Sequence, residues 1–140
     1  MKRRQFLRGL GLAAATGVAV AQDHSQHMHT VGPNEALVRT ASDCITTGEI
    51  CLAHVHDMGA QGDTSLARCA KSVAELTAVC AALRSLAAQN APSVPKQAAV
   101  ALDVCKRCEA ECRKHEKVHS QCKNCADACV ACATECQKVA

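Results

Sequence analysis

Cys122, Cys125, Cys129, Cys132 and Cys136 follow one another at intervals of three, four, three and four residues. Three and four bracket the 3.6-residue turn, so this alternation returns each residue to one side of an α-helix. The preceding stretch behaves the same way. Ala98, Ala101, Cys105, Cys108, Cys112, His115 and His119 alternate three and four. Residues 98–140 contain neither Gly nor Pro, so nothing there interrupts a helix. A strand has period two and would scatter these thiols over both faces. The chain is therefore predicted to be all-α.

The first half repeats the pattern with fewer thiols. Leu66, Cys69, Val73, Leu76, Cys80 and Leu83 alternate three and four, and Leu37, Cys44, Cys51 and Met58 recur every seven, with His54 between the last two. The expected helices span residues 35–58, 65–89, 95–117 and 121–139. Pro33 and Asn34 mark the first start, and Asn90, Pro92 and Pro95 break the second helix. Gly59, Gly62 and Asp63 form the first loop. Asp63 or Thr64, Ser93 and Ser120 are the expected N-caps. Short connections make neighbours antiparallel, so residues 35–140 are predicted to form an antiparallel up-down four-helix bundle with a Cys-lined core. Lys106, Arg107, Glu109, Glu111, Lys123, Asn124, Asp127 and Glu135 lie between the core positions and fit a solvated face.

Residues 1–21 read as an address. Lys2, Arg3, Arg4 and Arg8 precede a run of Gly, Leu, Ala and Val that ends in Ala19, Val20 and Ala21. This is the layout of a secretory signal, with cleavage near Ala21. The apolar run from Gly9 to Ala21 has 13 residues, too few to span about 30 Å of hydrocarbon as a helix. Arg3, Arg4, Phe6 and Leu7 resemble the twin-arginine export motif, so the mature protein is expected in the periplasm and not embedded in membrane. Residues 22–34 read as a flexible tail. Its His24, His27, Met28 and His29 can capture a metal ion or simply link, and both readings stay open. The formal net charge is +3, and the four basic residues of the signal carry that surplus. With no Trp, no Tyr and only Phe6, the chain offers no basic footprint or stacking platform for nucleic acid. Enzymes that need an aromatic wall or a Tyr acid are excluded too.

The 12 Cys stand where Leu would pack a bundle. Cys is smaller, so a core of this kind is under-filled and has room for an occupant. In a short exported chain the ordinary reading is a disulfide scaffold. Residues three or four apart on a helix have Cβ atoms about 5–6 Å apart, whereas a disulfide needs about 3.5–4.5 Å. CxxC and CxxxC pairs within one helix are thus poorly placed to close. Disulfides between helices stay open, and Cys112 and Cys122 have the Cx9C spacing of stapled hairpins. Structural zinc takes closed sets of four ligands, usually on tight turns, and iron–sulfur motifs wrap their cluster with loops. A zinc–thiolate protein remains an alternative. A di-iron bundle needs two Glu-x-x-His pairs, and only Glu116 with His119 offers one. A thiol oxidoreductase would rest on Cys122 and Cys125 alone, without a βαβ context. No enzymatic activity is expected. Cu(I) suits the ladder best. It is soft, accepts two thiolates, and lets one sulfur bridge two ions. Multiple Cu(I) ions per chain follow, about one per Cys.

At this point the chain resembles the four-helix-bundle copper storage proteins. The resemblance lies in Cys105-Lys-Arg-Cys108-Glu-Ala-Glu-Cys112, in the ladder from Cys122 to Cys136, and in Gly48-Glu49-Ile50-Cys51-Leu52-Ala53-His54 with Met58. It implies a lumen that holds many Cu(I) ions on Cys, with His and Met at an open end. It also implies a homotetramer among exported members and exchange with copper-donor or copper-acceptor proteins. The departure is Val55, where the family pattern has a further Cys after His54.

Antiparallel topology gathers His54, Met58, Cys69, His115, His119 and Cys122 at one end. Leu37, Leu83, Leu86, Ala98 and Val139 fall at the other. His56 reads as a solvated surface residue. His115 and His119 keep the core register, and both the ligand and the surface reading stay open for them. The candidate metal ligands are Cys44, Cys51, His54, Met58, Cys69, Cys80, Cys105, Cys108, Cys112, His115, His119, Cys122, Cys125, Cys129, Cys132 and Cys136.

Overall fold

The computed structural model describes residues 32–140. The signal segment and the residues His24, His27, Met28 and His29 lie outside the described residues. Four helices follow in order: α1 (Glu35–Ala60), α2 (Ala67–Ala88), α3 (Val94–Arg113) and α4 (Ser120–Gln137). α1 packs on α2 and α4, and α3 packs on the same two, so the helices stand at the corners of a square. This is the expected four-helix bundle. No helix among the described residues is long and apolar enough to cross a membrane.

The first two reversals use one device. Past the end of α1 the chain turns at Gly62, whose φ is +89°. Gly62 N donates to Gly59 O and Asp63 N to Met58 O, both at 3.0 Å. Past the end of α2, Asn90 takes φ +51°, with Asn90 N on Ala87 O at 3.1 Å and Ala91 N on Leu86 O at 3.0 Å. These paired bonds to the last carbonyls, with a left-handed residue between, form the Schellman closure. It selects Gly or Asn at that position.

The third reversal differs from expectation. α3 stops at Arg113 instead of continuing to residue 117. Residues 114–118 form a turn, and His119, at φ −119° and ψ 102°, is the extended residue before α4. No Gly, Asn or Pro marks this stop, so the apolar period reads straight through it. The expected caps also shift. Leu66 and His119 hold the N-cap positions of α2 and α4, and Ser120 is the first residue of α4. Ser93 sits at the N-cap of α3 without a side-chain bond. Asp63 accepts from Ser65 N at 2.8 Å, which holds its carboxyl below the usual range.

All twelve thiols are buried in the core. The large aliphatic residues that are fully buried, Leu66, Val73, Leu76 and Leu83, belong to α2 and its N-cap. Leu37, Leu83, Ala98 and Val94 are buried where α1 and α3 begin and α2 ends. Glu109, Glu111 and Glu135 are half-buried rather than fully solvated.

Gly48 is buried where α1 meets α2. A Cβ there would lie 2.7 Å from Thr77 Cγ2 and 3.3 Å from Val73 Cγ1. Thr77 cannot swing away freely, because it is β-branched and its hydroxyl donates to Ala74 O at 3.0 Å. Gly48→Ala should gain about 1 kcal/mol of helix propensity but lose about 1–3 kcal/mol to overpacking. We expect a net loss in denaturant unfolding of the metal-free protein, recovered at least in part by adding Thr77→Ala.

Candidate metal centre

The sulfur ladder resolves into three groups stacked along the bundle axis. The outer group is Cys51 from α1, Cys69 from α2 and Cys122 from α4, with Sγ–Sγ distances of 3.9–4.0 Å. The middle group is Cys108 from α3 with Cys125 and Cys129 from α4. The inner group takes one thiol from each helix: Cys44, Cys80, Cys105 and Cys132. Within each group the sulfurs lie within 4.8 Å of one another.

The remaining two thiols extend the groups. Cys112 lies 3.6 Å from Cys69 and 3.9 Å from Cys108, Sγ to Sγ, and so joins the outer group to the middle one. Cys136 lies 4.0 Å from Cys132, beyond the inner group. The helical period that predicted one stripe per helix therefore yields a single continuous column of sulfur. The grouping itself was not legible in the sequence, because it depends on how far each helix is shifted along its neighbours.

All twelve are free thiols. They hydrogen-bond mostly to one another; Cys44 also reaches the Ala128 carbonyl at 3.3 Å. Ionisation is shared unevenly. Cys51 and Cys108 each have their thiol pushed down, above all by a bond from Cys112, and Cys132 by one from Cys105. Cys105 falls to about 5, chiefly through its bond with Cys129. Cys112, Cys129 and Cys80 move up, first because of their bonds with Cys108, Cys105 and Cys105 respectively, and also through burial. Burial, followed by the nearby Cys51 charge, pushes Cys122 up to about 11.

The imidazoles gather at the outer end. His54 Nε2 is 2.9 Å from His119 Nδ1, one ring donating and the other accepting. The His115 ring lies 6.5 Å from that of His119, centroid to centroid, and its Nε2 is 4.0 Å from Glu111 Oε1. Met58 is half-buried against the core, and His56 is exposed. His119 reaches this position from the extended residue before α4, not from a continued third helix. Val55 is buried, 7% exposed, and takes the core position where the resemblance led us to expect Cys.

These observations meet known proteins at three points. The family model described as Csp, copper storage protein, matches residues 15–140. An uncharacterised cysteine-rich protein of Bacillus subtilis, YhjQ, is 28% identical over 107 residues, 76% of this chain and 95% of that protein. Two solved structures superpose well. Cu(I)-bound copper storage protein BsCsp3 gives a TM-score of 0.70 at 28% identity, covering 76% of this chain and 97% of that one. Apo Csp3 from Bacillus subtilis gives 0.67 at 26% identity with the same coverage. With the family model spanning nearly the whole sequence and the sulfur column in place, the chain belongs to the Csp copper storage protein family.

Proposed function

We propose that this copper storage protein holds its Cu(I) on all twelve thiols of the column, and that His54, Met58, His115 and His119 pass copper to them from the outer end. The observation that carries the reading is continuity. Every thiol lies within a group or within 4.0 Å of one, which suits two-coordinate ions linked through bridging sulfur. Each thiol releases its proton to solvent as it binds Cu⁺, so one ion per thiolate leaves a buried column close to neutral. The role is storage and involves no catalytic step.

Zinc is the second reading, favoured by the inner group, where four thiols from four helices converge. Zinc consumes four thiolates per ion and would saturate the chain at about three ions.

Neutral imidazole and thioether bind Cu(I) without losing a proton, which suits transient capture ahead of thiols that must deprotonate. The outer end is also the polar one, since Leu37, Leu83, Ala98 and Val94 close the other. α1 begins at that closed end, about 28 Å of helix rise away from His54.

Export fits the same picture. The twin-arginine signal would deliver a folded bundle to the periplasm, its thiols enclosed in the core before they meet an oxidising compartment. There the chain assembles into a homotetramer and exchanges copper with donor and acceptor proteins. Fractionation should place the tagged full chain in the periplasm with the first 21 residues removed. Replacing Arg3 and Arg4 together with Lys should retain it in the cytoplasm. Light scattering of the exported form should give four chain masses.

The central experiment is an anaerobic Cu(I) titration against a chelator on reduced protein. Saturation at about one ion per Cys supports the reading; saturation at one or two, or at three zinc ions with no further copper, contradicts it. Iodoacetamide labelling of unreduced, denatured protein should add twelve groups, and a mass short by pairs would restore the disulfide scaffold. Replacing His54, Met58, His115 and His119 together should slow loading and removal severalfold while leaving capacity within about one ion. A fourfold variant that loads at the wild-type rate would place the mouth elsewhere.

A further inference from the structure

We propose that Arg113 positions the copper-receiving mouth, by anchoring the turn that carries His115 and His119; this rests on the reading of that mouth given above. Arg113 is the last residue of α3. Its Nη1 lies 2.8 Å from Glu116 Oε2 and 2.8 Å from Asp127 Oδ1, and its Nε lies 3.5 Å from Glu109 Oε1. One guanidinium thus ties together α3 (Glu109), the turn (Glu116) and the second coil of α4 (Asp127).

A planar guanidinium holds its donors in a rigid fork, so it fixes directions as well as charge. The Arg113 side chain is 32% exposed and those of its carboxylate partners 32–47%. Ion pairs this exposed add little to global stability. What the network decides is where the turn sits relative to α4. Along the backbone, Lys114 N on Glu111 O at 3.3 Å and His115 N on Cys112 O at 3.0 Å carry α3 into the turn, but none of these bonds reaches across to Asp127 of α4. His115 O accepts from Val118 N at 3.1 Å and from His119 N at 2.9 Å. His119 then leaves in an extended conformation and meets His54 of α1. A turn released from Glu116 and Asp127 keeps its backbone bonds but loses its side-chain tie to α4, and the imidazole contact between His119 and His54 loses that support.

The partners leave a matched set of consequences. Asp127 keeps Lys123 at 2.7 Å when Arg113 is lost, so no bare carboxylate is left on α4. Glu116 loses its ion pair and with it the tie from the turn to α4. None of the proposed copper ligands bonds to the Arg113 side chain, so its effect on copper has to pass through His115 and His119.

The test is a double-mutant cycle on the full mature chain, reduced, with Cu(I) delivered from a coloured chelator. Arg113→Met keeps the aliphatic stem, His119→Ala removes the mouth imidazole, and the third variant carries both. Loading rate, capacity and apo melting temperature are read for each. Arg113→Met should load roughly threefold to tenfold slower, saturate at the wild-type number of ions, and melt within about 3 °C of wild type. Combined with His119→Ala, it should add little further slowing. Arg113→Lys, which keeps the charge without the fork, should recover part of the rate. Wild-type loading by Arg113→Met overturns the proposal, and so does a slowdown that persists undiminished without His119. A large fall in capacity or melting temperature overturns it as well, by showing a role in folding. His119→Ala loading at the wild-type rate would sink the mouth reading and this proposal with it. Slow His119→Ala beside wild-type-rate Arg113→Met sinks the positioning role alone.

Discussion

The constraint on which the rest depends is that the bundle gives its central positions to sulfur. A thiol fills much less space than the isobutyl group usual at such a position, and each missing methylene forgoes about 0.8 kcal/mol of burial. Apolar packing is correspondingly concentrated. The fully buried Leu and Val side chains come from α2 and its N-cap, whereas the buried residues of α4 are Cys and Ala alone. α4 therefore has little aliphatic area with which to hold itself in place. Its other ties to the bundle are few and polar: Asp127 pairs with Arg113, Cys44 donates to the Ala128 carbonyl, and Cys122 meets Cys51 and Cys69. Metal bound by Cys122, Cys125, Cys129, Cys132 and Cys136 would add the missing attachment. Binding to the native state raises its stability by mass action, less whatever affinity unfolded thiols retain.

What could be read from the sequence follows from what periodicity carries. A three–four alternation specifies which face a residue occupies, and the buried positions of all four helices obey it apart from Val104 and Ala126. It says nothing about where a helix stops when no Gly, Asn or Pro marks the end. That is why α3 was expected to run four residues too far, and why His119 arrives by a turn. It is also silent on axial shift between helices, so the thiols were legible as a ladder but not as three groups, the outer two joined at Cys112. Gly48 belongs to the same class. Its spacing looks like any interior helix position, and only the approach of Thr77 at 2.7 Å from a would-be Cβ shows what it is for. Val104 and Ala126 were missed because they flank the thiol stripe and face neighbouring helices rather than the axis.

The two ends of the column set thermodynamics and kinetics apart. Capacity resides in buried sulfur, far from water, where release requires each thiolate to be reprotonated or to pass its ion onward. On the proposed function, access resides in a few imidazoles at the rim, held by hydrogen bonds and half-exposed ion pairs. Changes at the rim can therefore alter how fast copper moves while leaving the number of ions stored almost untouched. The converse holds for a thiol at the closed end such as Cys136.

Cysteine is also what lets one fold serve both the empty and the filled state. As S–H it behaves as a small hydrophobe with a weak donor, so twelve of them can be buried together in the core. A core of carboxylates or imidazoles would have to open to water, or bind counter-ions, whenever metal was absent. As S⁻ the same atom is a strong ligand for a soft cation, and the proton it loses carries away the charge that the ion brings. A core of this kind can exchange protons for soft cations without opening to water. The likeness of the chain to both a Cu(I)-bound and an apo relative fits that exchange.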